Sequence, residues 1–432
     1  MGKASQLLIR GGRVVDATGE RRADVLVADG SIVAVGEQLD AAAGATVLDA
    51  GDCVVAPGLV DVHAHLRQPG REEAETIETG ARAAALGGYT ALVAMPNTEP
   101  AIDCAGAVRE VLDLGLGAAC EVRVAGAITR GRQGEVLAPL GEMADLGVRL
   151  FTDDGSCVQD ARLMRRALEY ASALGVTLAQ HCEDERLSAG GHMHEGEWSS
   201  RLGIPGIPAE AEVIIVQRDI ALARLTAGSG GRVHFQHLST AGAIGAVRAA
   251  RAEGVPVTAE ATPHHFALTD AEVDGYDPVF KVNPPLRPPT DVEAVRAGLA
   301  DGTVDAIATD HAPHAPEDKE LPFDQAPPGM LGLETALALA LTELDLPLPR
   351  LLALLSWGPA RIAGLDGHGG PVTEGRPGHL CVIDPDTRWV VEPERLASRS
   401  RNTPYAGRKL KGRVRHTVLA GDPVVIDGEA QR

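Results

Sequence analysis

The chain has 432 residues, of which 44% are hydrophobic and 23% are charged, and its formal net charge is −20. This length exceeds the usual range of a single domain, so we expect one large domain and a smaller one. Such an acidic chain lacks the positive face that non-specific binding to nucleic acid or to an anionic membrane requires, which excludes both classes of partner.

The beginning of the chain has no apolar core and no small-residue cleavage site of the kind found in signal peptides. No run of about 18 uninterrupted apolar residues occurs, which argues against a membrane span. The six cysteines are scattered and form no C-x-x-C pair, a pattern typical of reduced thiols. We therefore expect a soluble, cytoplasmic protein.

Both ends of the chain contain short runs in which apolar and polar residues alternate, separated by Gly-Gly and Asp-Gly turns. This alternation predicts β-strands with one buried face. Because chain termini often lie close together, the pattern predicts one small β-sandwich domain formed by residues 1–55 and 370–432.

Residues 56–369 alternate short apolar runs with Ala- and Leu-rich stretches of helical length. This order predicts an α/β fold with a parallel sheet built from βα units. Eight such units form a TIM barrel, (β/α)8, whose active site lies at the carboxyl ends of the strands. The predicted strands are 59–66, 90–97, 121–128, 148–154, 176–182, 232–238, 256–262 and 304–310.

Histidine and acidic side chains cluster where these predicted strands end. His63 and His65 lie one residue apart, so on a strand both imidazoles point the same way and can reach one metal ion. Imidazole and carboxylate groups are the ligands that first-row divalent metals prefer, zinc above all, and a metal site is predicted at this rim. We expect His264 and His265 to pack beside the ligands or to hydrogen-bond them. The polar residues at the strand ends are His63, His65, Asn97, Asp153, Asp154, His181, His237, His264, His265, Asp310 and His311.

Short motifs recur along nearly the whole chain in one order and spacing. They are Pro57-Gly-Leu-Val-Asp-Val-His-Ala-His-Leu-Arg67, Met95-Pro-Asn-Thr98, Phe151-Thr-Asp-Asp-Gly155, Pro205-Gly-Ile-Pro-Ala-Glu210, His237-Leu-Ser-Thr240, Val282-Asn-Pro-Pro-Leu-Arg287, Asp310-His-Ala-Pro-His314 and Asn402-Thr-Pro-Tyr-Ala-Gly407. Together they resemble the amidohydrolase superfamily and, within it, the type I dihydroorotases. The resemblance implies a barrel with a β-sandwich, and the reversible conversion of N-carbamoyl-L-aspartate to dihydroorotate in pyrimidine (UMP) biosynthesis.

The fourth predicted strand distinguishes between subfamilies. Many binuclear amidohydrolases bridge their metals there with a carboxylated lysine, but this chain has no lysine between Lys3 and Lys281. Asp153 and Asp154 stand at that place instead, and type I dihydroorotases use an aspartate. The resemblance assigns the bridge to Asp154. Asp153 remains the alternative, and one of the two could instead cap the following turn.

The resemblance implies two zinc ions per subunit, bridged by Asp154 and a hydroxide. Such a pair would activate water and polarise the scissile carbonyl. Asp310 would take the proton from the attacking hydroxide and return it to the amide nitrogen, with a plain ligand role as the alternative. The implied ligands are His63, His65 and Asp310 for one ion and His181 and His237 for the other.

Three further histidines could be mistaken for ligands. His234 lies three residues before His237, and since odd offsets on a strand face opposite sides, only one of the two can point into the top of the barrel. The Leu-Ser-Thr that follows favours His237. His192 and His194 lie in a Gly-rich loop with no predicted strand to orient them, so we expect them at the surface.

Substrate recognition in an acidic protein requires local basic residues for the ring carboxylate. Arg67, two residues beyond His65, is predicted to face the same side of its strand and offers a fork of donors suited to a carboxylate. The resemblance implies that Asn97 and His314 assist it, that Asn283 contacts the ring, and that His65 also contributes to substrate binding.

Residues 315–330 follow the eighth predicted strand and lack any helical or strand period, so we predict an active-site loop that closes over the substrate. The family usually shows Pro-Phe-Gly near its end, whereas this chain has Pro327-Pro328-Gly329. Pro328 has no N–H to donate, so Pro328 and Gly329 are expected to contribute only backbone and shape contacts.

Two other functions are compatible with this scaffold. A hydantoinase or allantoinase would open related cyclic ureides, but those substrates lack the ring carboxylate and the missing lysine counts against them. A catalytically inactive subunit that scaffolds aspartate transcarbamoylase would be expected to have lost ligands. The resemblance also makes association with aspartate transcarbamoylase and a homo-oligomeric state plausible partner predictions.

Overall fold

The computed structural model describes residues 6–432, and its amino-terminal part consists of strands. Apolar side chains of these strands form a core of their own, which includes Leu7, Ile9, Val25 and Val55. The strands are β1 (Gln6–Asp16), β2 (Gly19–Ala28), β3 (Ser31–Gly36), β4 (Thr46–Asp49) and β5 (Val54–Pro57).

The middle of the chain alternates strands and helices. Its strands are short. They are β6 (Leu59–Ala64), β7 (Tyr89–Ala94), β8 (Glu121–Val124), β9 (Leu150–Phe151), β10 (Thr177–Gln180), β11 (Met193–His194), β12 (Gly206–Ile207), β13 (Val233–Phe235), β14 (Val257–Ala261) and β15 (Ala306–Ile307).

Parallel pairing orders eight of these strands into a barrel, while β11 and β12 pair only with each other. One sheet runs β6-β7-β8 and another runs β9-β10-β13-β14-β15. Single parallel bridges join the two sheets at both seams, between Gly126 and Phe151 and between Ala64 and His311. The predicted α/β fold with a (β/α)8 barrel is confirmed, and each predicted barrel strand overlaps an observed one.

Helices cover the outside of the barrel, and polar side chains cap several of them. Thr76 accepts a hydrogen bond from the Thr79 amide at the start of the first helix, and Asp160 does the same for Leu163 in the fourth. The helices are α1 (Ile77–Leu86), α2 (Ala105–Leu114), α3 (Leu140–Ala144), α4 (Ala161–Leu174), α5 (Glu185–Ser188), α6 (Glu197–Leu202), α7 (Glu210–Thr226), α8 (Ala241–Ala252), α9 (Pro263–Ala267), α10 (Pro289–Asp301), α11 (Pro316–Lys319), α12 (Ala336–Glu343), α13 (Leu348–Leu352) and α14 (Gly358–Ile362).

The carboxyl-terminal strands return to the amino-terminal ones. They are β16 (Leu380–Val390), β17 (Lys409–Leu419), β18 (Asp422–Ile426) and β19 (Glu429–Ala430). The joined sheet runs β19-β18-β17-β16-β5-β1-β2-β3, with β4 beside β1. Both chain ends therefore build one β-rich unit, as predicted, while the limits 1–55, 56–369 and 370–432 stay a prediction.

Across residues 6–432, none of the helices is both long enough and apolar enough to cross a membrane.

Candidate active site

The site lies where the barrel strands end, and its centre is the carboxylate of Asp154. Asp154 Oδ1 lies 3.3 Å from His63 Nε2, 3.7 Å from His181 Nδ1 and 3.6 Å from His237 Nε2. Asp154 Oδ2 lies 3.5 Å from His65 Nε2. The structure thus gathers four predicted histidines around one predicted aspartate.

Asp310 stands on the same side of the cluster. Its Oδ1 lies 3.1 Å from His65 Nε2 and 3.5 Å from His63 Nε2. Burial raises the pKa of Asp310, but His63 and His65 outweigh burial and hold this pKa below its usual range. The pKa of Asp154 is likewise held well below its ordinary value, because His63, His181 and His237 outweigh burial. Both carboxylates are therefore ionised at neutral pH.

Two groups of potential metal ligands share Asp154. One contains His63 and His65, the other His181 and His237, and within each group the ligand atoms lie within 4.8 Å of one another. His63 Nε2 and Asp154 Oδ1 are buried without a hydrogen-bond partner in the described chain. Lone pairs that face each other with no donor between them are typical of a cation site. The residues present therefore fit a divalent metal.

Polar side chains behind the histidines orient their rings. His63 Nδ1 lies 2.7 Å from Glu260, His65 Nδ1 lies 2.8 Å from Asn97 Oδ1, and His181 Nε2 lies 3.2 Å from Glu183. In each ring the far nitrogen can donate a proton to its partner, so the near nitrogen can offer a lone pair to a bound cation.

Glu183 and Glu260 were not predicted as site residues. Glu260 is a fully buried carboxylate and the only ionisable residue of strand β14, and Glu183 follows His181 by two residues. An ionisable residue within an apolar strand was the available signal for Glu260.

Asp153 and His234 lie outside the ligand cluster. The Asp153 carboxylate accepts hydrogen bonds from the amide and hydroxyl of Thr129, the amide bond at 3.0 Å. His234 Nε2 lies 2.9 Å from the second oxygen of Glu260, so it supports the carboxylate that holds His63. These positions agree with Asp154 and His237 as the candidate ligands.

The two adjacent histidines of α9 are buried beside the site. His264 Nε2 lies 4.0 Å from Asp310 Oδ2. The ring of His265 lies 2.7 Å from Thr262 Oγ1 and 3.0 Å from the Pro284 carbonyl oxygen. Both positions agree with a packing role.

The surface prediction for His192 and His194 is wrong in part. His194 belongs to β11, which pairs with β12, and its Nδ1 lies 3.0 Å from Arg287 Nη1. His192 Nδ1 lies 3.4 Å from Lys281 Nζ, and both histidines are half-buried. A pair of two-residue strands is too short to produce an alternating pattern, which is why the sequence did not reveal it.

Arg67 reaches the site by a different route from the predicted one. Strand β6 ends at Ala64, and Arg67 has a left-handed backbone with φ of 61°. Its Nε donates to the Pro313 carbonyl at 3.0 Å, which leaves the rest of the guanidinium facing a cavity. The early turn, and not strand alternation, therefore places Arg67 at the cavity.

The other predicted substrate residues line the same cavity, but several already have partners. His314 Nε2 donates to the Pro328 carbonyl at 2.9 Å, and Asn283 Nδ2 donates to Glu183 at 2.6 Å. Asn97 accepts from His65 through Oδ1, so its amide nitrogen is left to donate. The cavity is lined by His65, Arg67, Asn97, Asp154, Gly155, His181, His237, Val282, Asn283, Asp310, Ala312, His314, Pro327, Pro328 and Gly329.

The segment 315–330 covers one side of the cavity. It contains one helical turn, α11, which its sequence did not predict. Gly329 has φ of 140°, and a Cβ there would lie 2.7 Å from His314 Nε2, so only glycine fits this close approach. Its amide donates to the Lys281 carbonyl at 2.8 Å.

Comparison with known proteins agrees with this geometry. Residues 52–242 match the family described as Dihydro-orotase-like. The chain is 50% identical over 429 residues to a dihydroorotase of Pelotomaculum thermopropionicum, covering 98% of this chain and 99% of that protein. It is 50% identical over 433 residues to a dihydroorotase of Streptomyces coelicolor, again covering 98% and 99%.

Solved structures share the fold. The L-hydantoinase (dihydropyrimidinase) of Arthrobacter aurescens has a TM-score of 0.88 at 25% identity, covering 99% of this chain and 98% of that one. A dihydropyrimidinase of Brevibacillus agri has a TM-score of 0.84 at 23% identity, covering 99% and 96%. With half of its residues identical to dihydroorotases over nearly its full length, the chain belongs to the dihydroorotase family of amidohydrolases.

Proposed function

We propose that this protein is a zinc-dependent dihydroorotase that interconverts N-carbamoyl-L-aspartate and dihydroorotate in pyrimidine biosynthesis. One observation carries the proposal. Four histidines and two carboxylates converge beside a cavity that also presents Arg67, in a chain whose full-length relatives are dihydroorotases.

The proposed metal ligands are the residues gathered around Asp154. When bound, two zinc ions would supply Lewis-acid activation of water and of the ring carbonyl. Asp154 would serve both groups of ligands, and Asp310 would join the group of His63 and His65. The ligands are His63, His65, Asp154, His181, His237 and Asp310.

Asp310 would move the proton during ring opening. Its carboxylate is ionised and lies beside His63 and His65 at the cavity, so it is placed to accept a proton from the attacking water. The protonated Asp310 then donates to the ring nitrogen as the amide bond breaks. In ring closure the same carboxyl group carries the proton in the opposite direction, because both directions share one transition state.

The remaining residues would bind and orient the substrate. Arg67 and the amide nitrogen of Asn97 have donors for the ring carboxylate. His314 would exchange its bond to the Pro328 carbonyl for one to the substrate, and Asn283 would contact the ring. Pro328 and Gly329 shape the opposite wall.

The hydantoinase alternative is less well supported. The solved hydantoinases and dihydropyrimidinases share 23% to 26% identity with this chain, whereas the dihydroorotases reach 50%. The inactive-scaffold alternative is also weaker, because all six proposed ligands are present and close together.

The decisive experiment follows the absorbance of dihydroorotate during incubation with purified protein of known zinc content. Metal-dependent ring opening, with hydantoin and allantoin left intact, is the expected result. Preferential opening of hydantoin or allantoin would favour the alternative enzyme, and no turnover by the metal-loaded protein would favour the scaffold.

We propose a cytoplasmic location, which the cysteines support, since none of the six forms a disulfide and five of them are buried. A homo-oligomeric state and association with aspartate transcarbamoylase are further proposals, which gel filtration of the protein alone and mixed with the transcarbamoylase would test.

A further inference from the structure

Lys319, the last residue of α11, joins two backbone segments that line the cavity. Its Nζ donates to the carbonyl oxygens of Pro278 at 3.1 Å, Lys281 at 3.4 Å and Pro327 at 2.8 Å. The first two carbonyls precede Asn283, and the third precedes Pro328. One ammonium group therefore fixes the distance between two walls of the candidate site.

The same two segments also meet directly. The Gly329 amide donates to the Lys281 carbonyl, whose oxygen Lys319 shares. The Lys281 ammonium in turn donates to the Phe323 carbonyl at 2.7 Å, further along the same loop. The loop position next to the substrate cavity thus depends on lysine contacts with backbone oxygens.

The positive charge of Lys319 is poorly balanced. Its three acceptors are neutral carbonyls, and among residues 6–432 no carboxylate forms an ion pair with it. Asp277 and Asp318 lie near enough to favour the charge, whereas Lys281 and Arg67 oppose it. His314 also faces this group and is neutral, because burial and Arg67 lower its pKa to about 2. Burial, followed by Lys281, lowers the pKa of Lys319 to about 7.

We propose that Lys319 is a positioning residue that holds the 327–329 wall against the substrate, and that the substrate carboxylate supplies the negative charge missing around its ammonium. This inference rests on the proposed function, because dihydroorotate carries that carboxylate to Arg67, which belongs to the same group of positive charges.

The proposal has a defined pH signature. A bound anion favours the protonated ammonium and therefore raises the pKa of Lys319 above about 7. At a pH between the pKa of Lys319 in the free protein and its higher pKa in the complex, substrate binding takes up a proton, so KM rises with pH. The rise is at most about tenfold per pH unit, because one proton is exchanged. Below the lower value the side chain is protonated in both states, and this dependence disappears.

The test compares KM and kcat for dihydroorotate from pH 6 to 9 in the zinc-loaded wild type, K319R and K319M. K319R keeps its charge throughout, so the ratio of wild-type to K319R KM is expected to rise by about tenfold above neutral pH. K319M is expected to raise KM at pH 6.5 by about tenfold and to change kcat by less than about threefold. The exposed Lys409 of β17 offers a matched control, K409M, whose profile should follow the wild type.

The proposal would be overturned if the ratio of wild-type to K319R KM did not change with pH, or if K319M had the KM of the wild type. A second readout separates it from the proposed function. Amide hydrogen exchange at Gly329, measured without substrate, is expected to be faster in K319M than in K409M. If the wild type does not open dihydroorotate but the Gly329 amide exchanges faster in K319M than in K409M, the proposed function fails while the positioning contact stands. Equal protection in the two variants overturns the positioning role.

Discussion

Two groups of histidine and acidic side chains lie at different ends of the barrel, and both satisfy the same distance criterion for a metal site. The first, the upper cluster, surrounds Asp154 at the carboxyl ends of the strands. We call the second the lower cluster. The second contains Glu121 at the amino end of β8, His368 after α14 and His379 before β16, again with ligand atoms within 4.8 Å of one another. Residue type and spacing alone do not separate them.

Hydrogen bonds to the imidazole nitrogens do separate them. His368 has both nitrogens occupied, by Thr90 Oγ1 at 3.1 Å and by Glu121 at 2.8 Å. His379 Nδ1 accepts from the Ala420 amide at 3.1 Å, so in the neutral ring its Nε2 carries the proton. This lower cluster is therefore satisfied as a hydrogen-bonded group, which connects the barrel to the terminal sheet. In the upper cluster, around Asp154, the far nitrogens of His63, His65 and His181 have hydrogen-bond partners. His63 Nε2 and Asp154 Oδ1, however, face each other without a hydrogen-bond partner.

The largest expected effect lies in the upper cluster. Asp310→Asn removes the group proposed to carry the proton, and kcat should fall by about 10²- to 10⁴-fold. Steady-state rates at equal zinc occupancy measure this effect, with the exposed Asp386 as the control, D386N. A D310N enzyme with wild-type kcat would reduce Asp310 to a plain ligand.

Metal affinity should distinguish the two clusters next. Glu260→Gln weakens the partner that orients His63, so zinc affinity should fall by about 10- to 100-fold. The matched variant is Glu121→Gln. In the wild type the Glu121 carboxylate also bonds a histidine, but its cluster should hold no metal. Competition with a chromophoric chelator measures both affinities. Equal losses in the two variants would mean that the lower cluster also binds zinc.

A smaller effect is expected on substrate affinity when Arg67 is changed. Arg67→Lys keeps the charge but loses the forked donors, and KM for dihydroorotate should rise by about 10- to 100-fold, corresponding to a charge-assisted hydrogen bond. Initial rates over a range of substrate concentrations test this, with R82K on the exposed face of α1 as the control. An unchanged KM in R67K would remove Arg67 from the carboxylate site.

The smallest effect concerns stability in the lower cluster. Burial raises the pKa of Glu121, but His368 and Arg123 outweigh it and lower this pKa to about 2. A carboxylate with a depressed pKa stabilises the fold above its ordinary value of 4.5, and this contribution is lost as pH falls towards 2. Because Glu121 is partly exposed, we expect E121Q to lower Tm by only about 2 °C at pH 7.

Thermal unfolding of wild type and E121Q between pH 7 and pH 3.5 measures this contribution. The difference in Tm should shrink as the pH falls below 4.5. A difference that grows on acidification would contradict the sign of the coupling.

Sequence patterns predicted the barrel well because each strand carries a run of buried apolar residues and a polar end. The ligand candidates followed from the same rule, since Asp154, His181 and His237 all lie within three residues of the end of a strand. The partners of these residues were harder to predict. Glu260 meets His63 across 197 positions of sequence, and no local pattern encodes such a distance.

Backbone conformation limited the prediction at other positions. Arg67, His237 and Asp310 all have positive φ, of 61°, 32° and 46°. Non-glycine residues rarely adopt this conformation, and alternation along a strand no longer applies where it occurs. The predicted eighth strand therefore ran to residue 310, whereas β15 ends at Ile307.

The aspartate at the centre of the upper cluster also has a consequence for how the site is assembled. A carboxylated lysine is made after translation from dissolved carbon dioxide, and its carbamate is lost when carbon dioxide is scarce or the pH is low. Asp154 brings its own negative charge within 3.3 Å of His63 as soon as the chain folds. Reconstitution of the apoprotein should therefore need zinc but no bicarbonate.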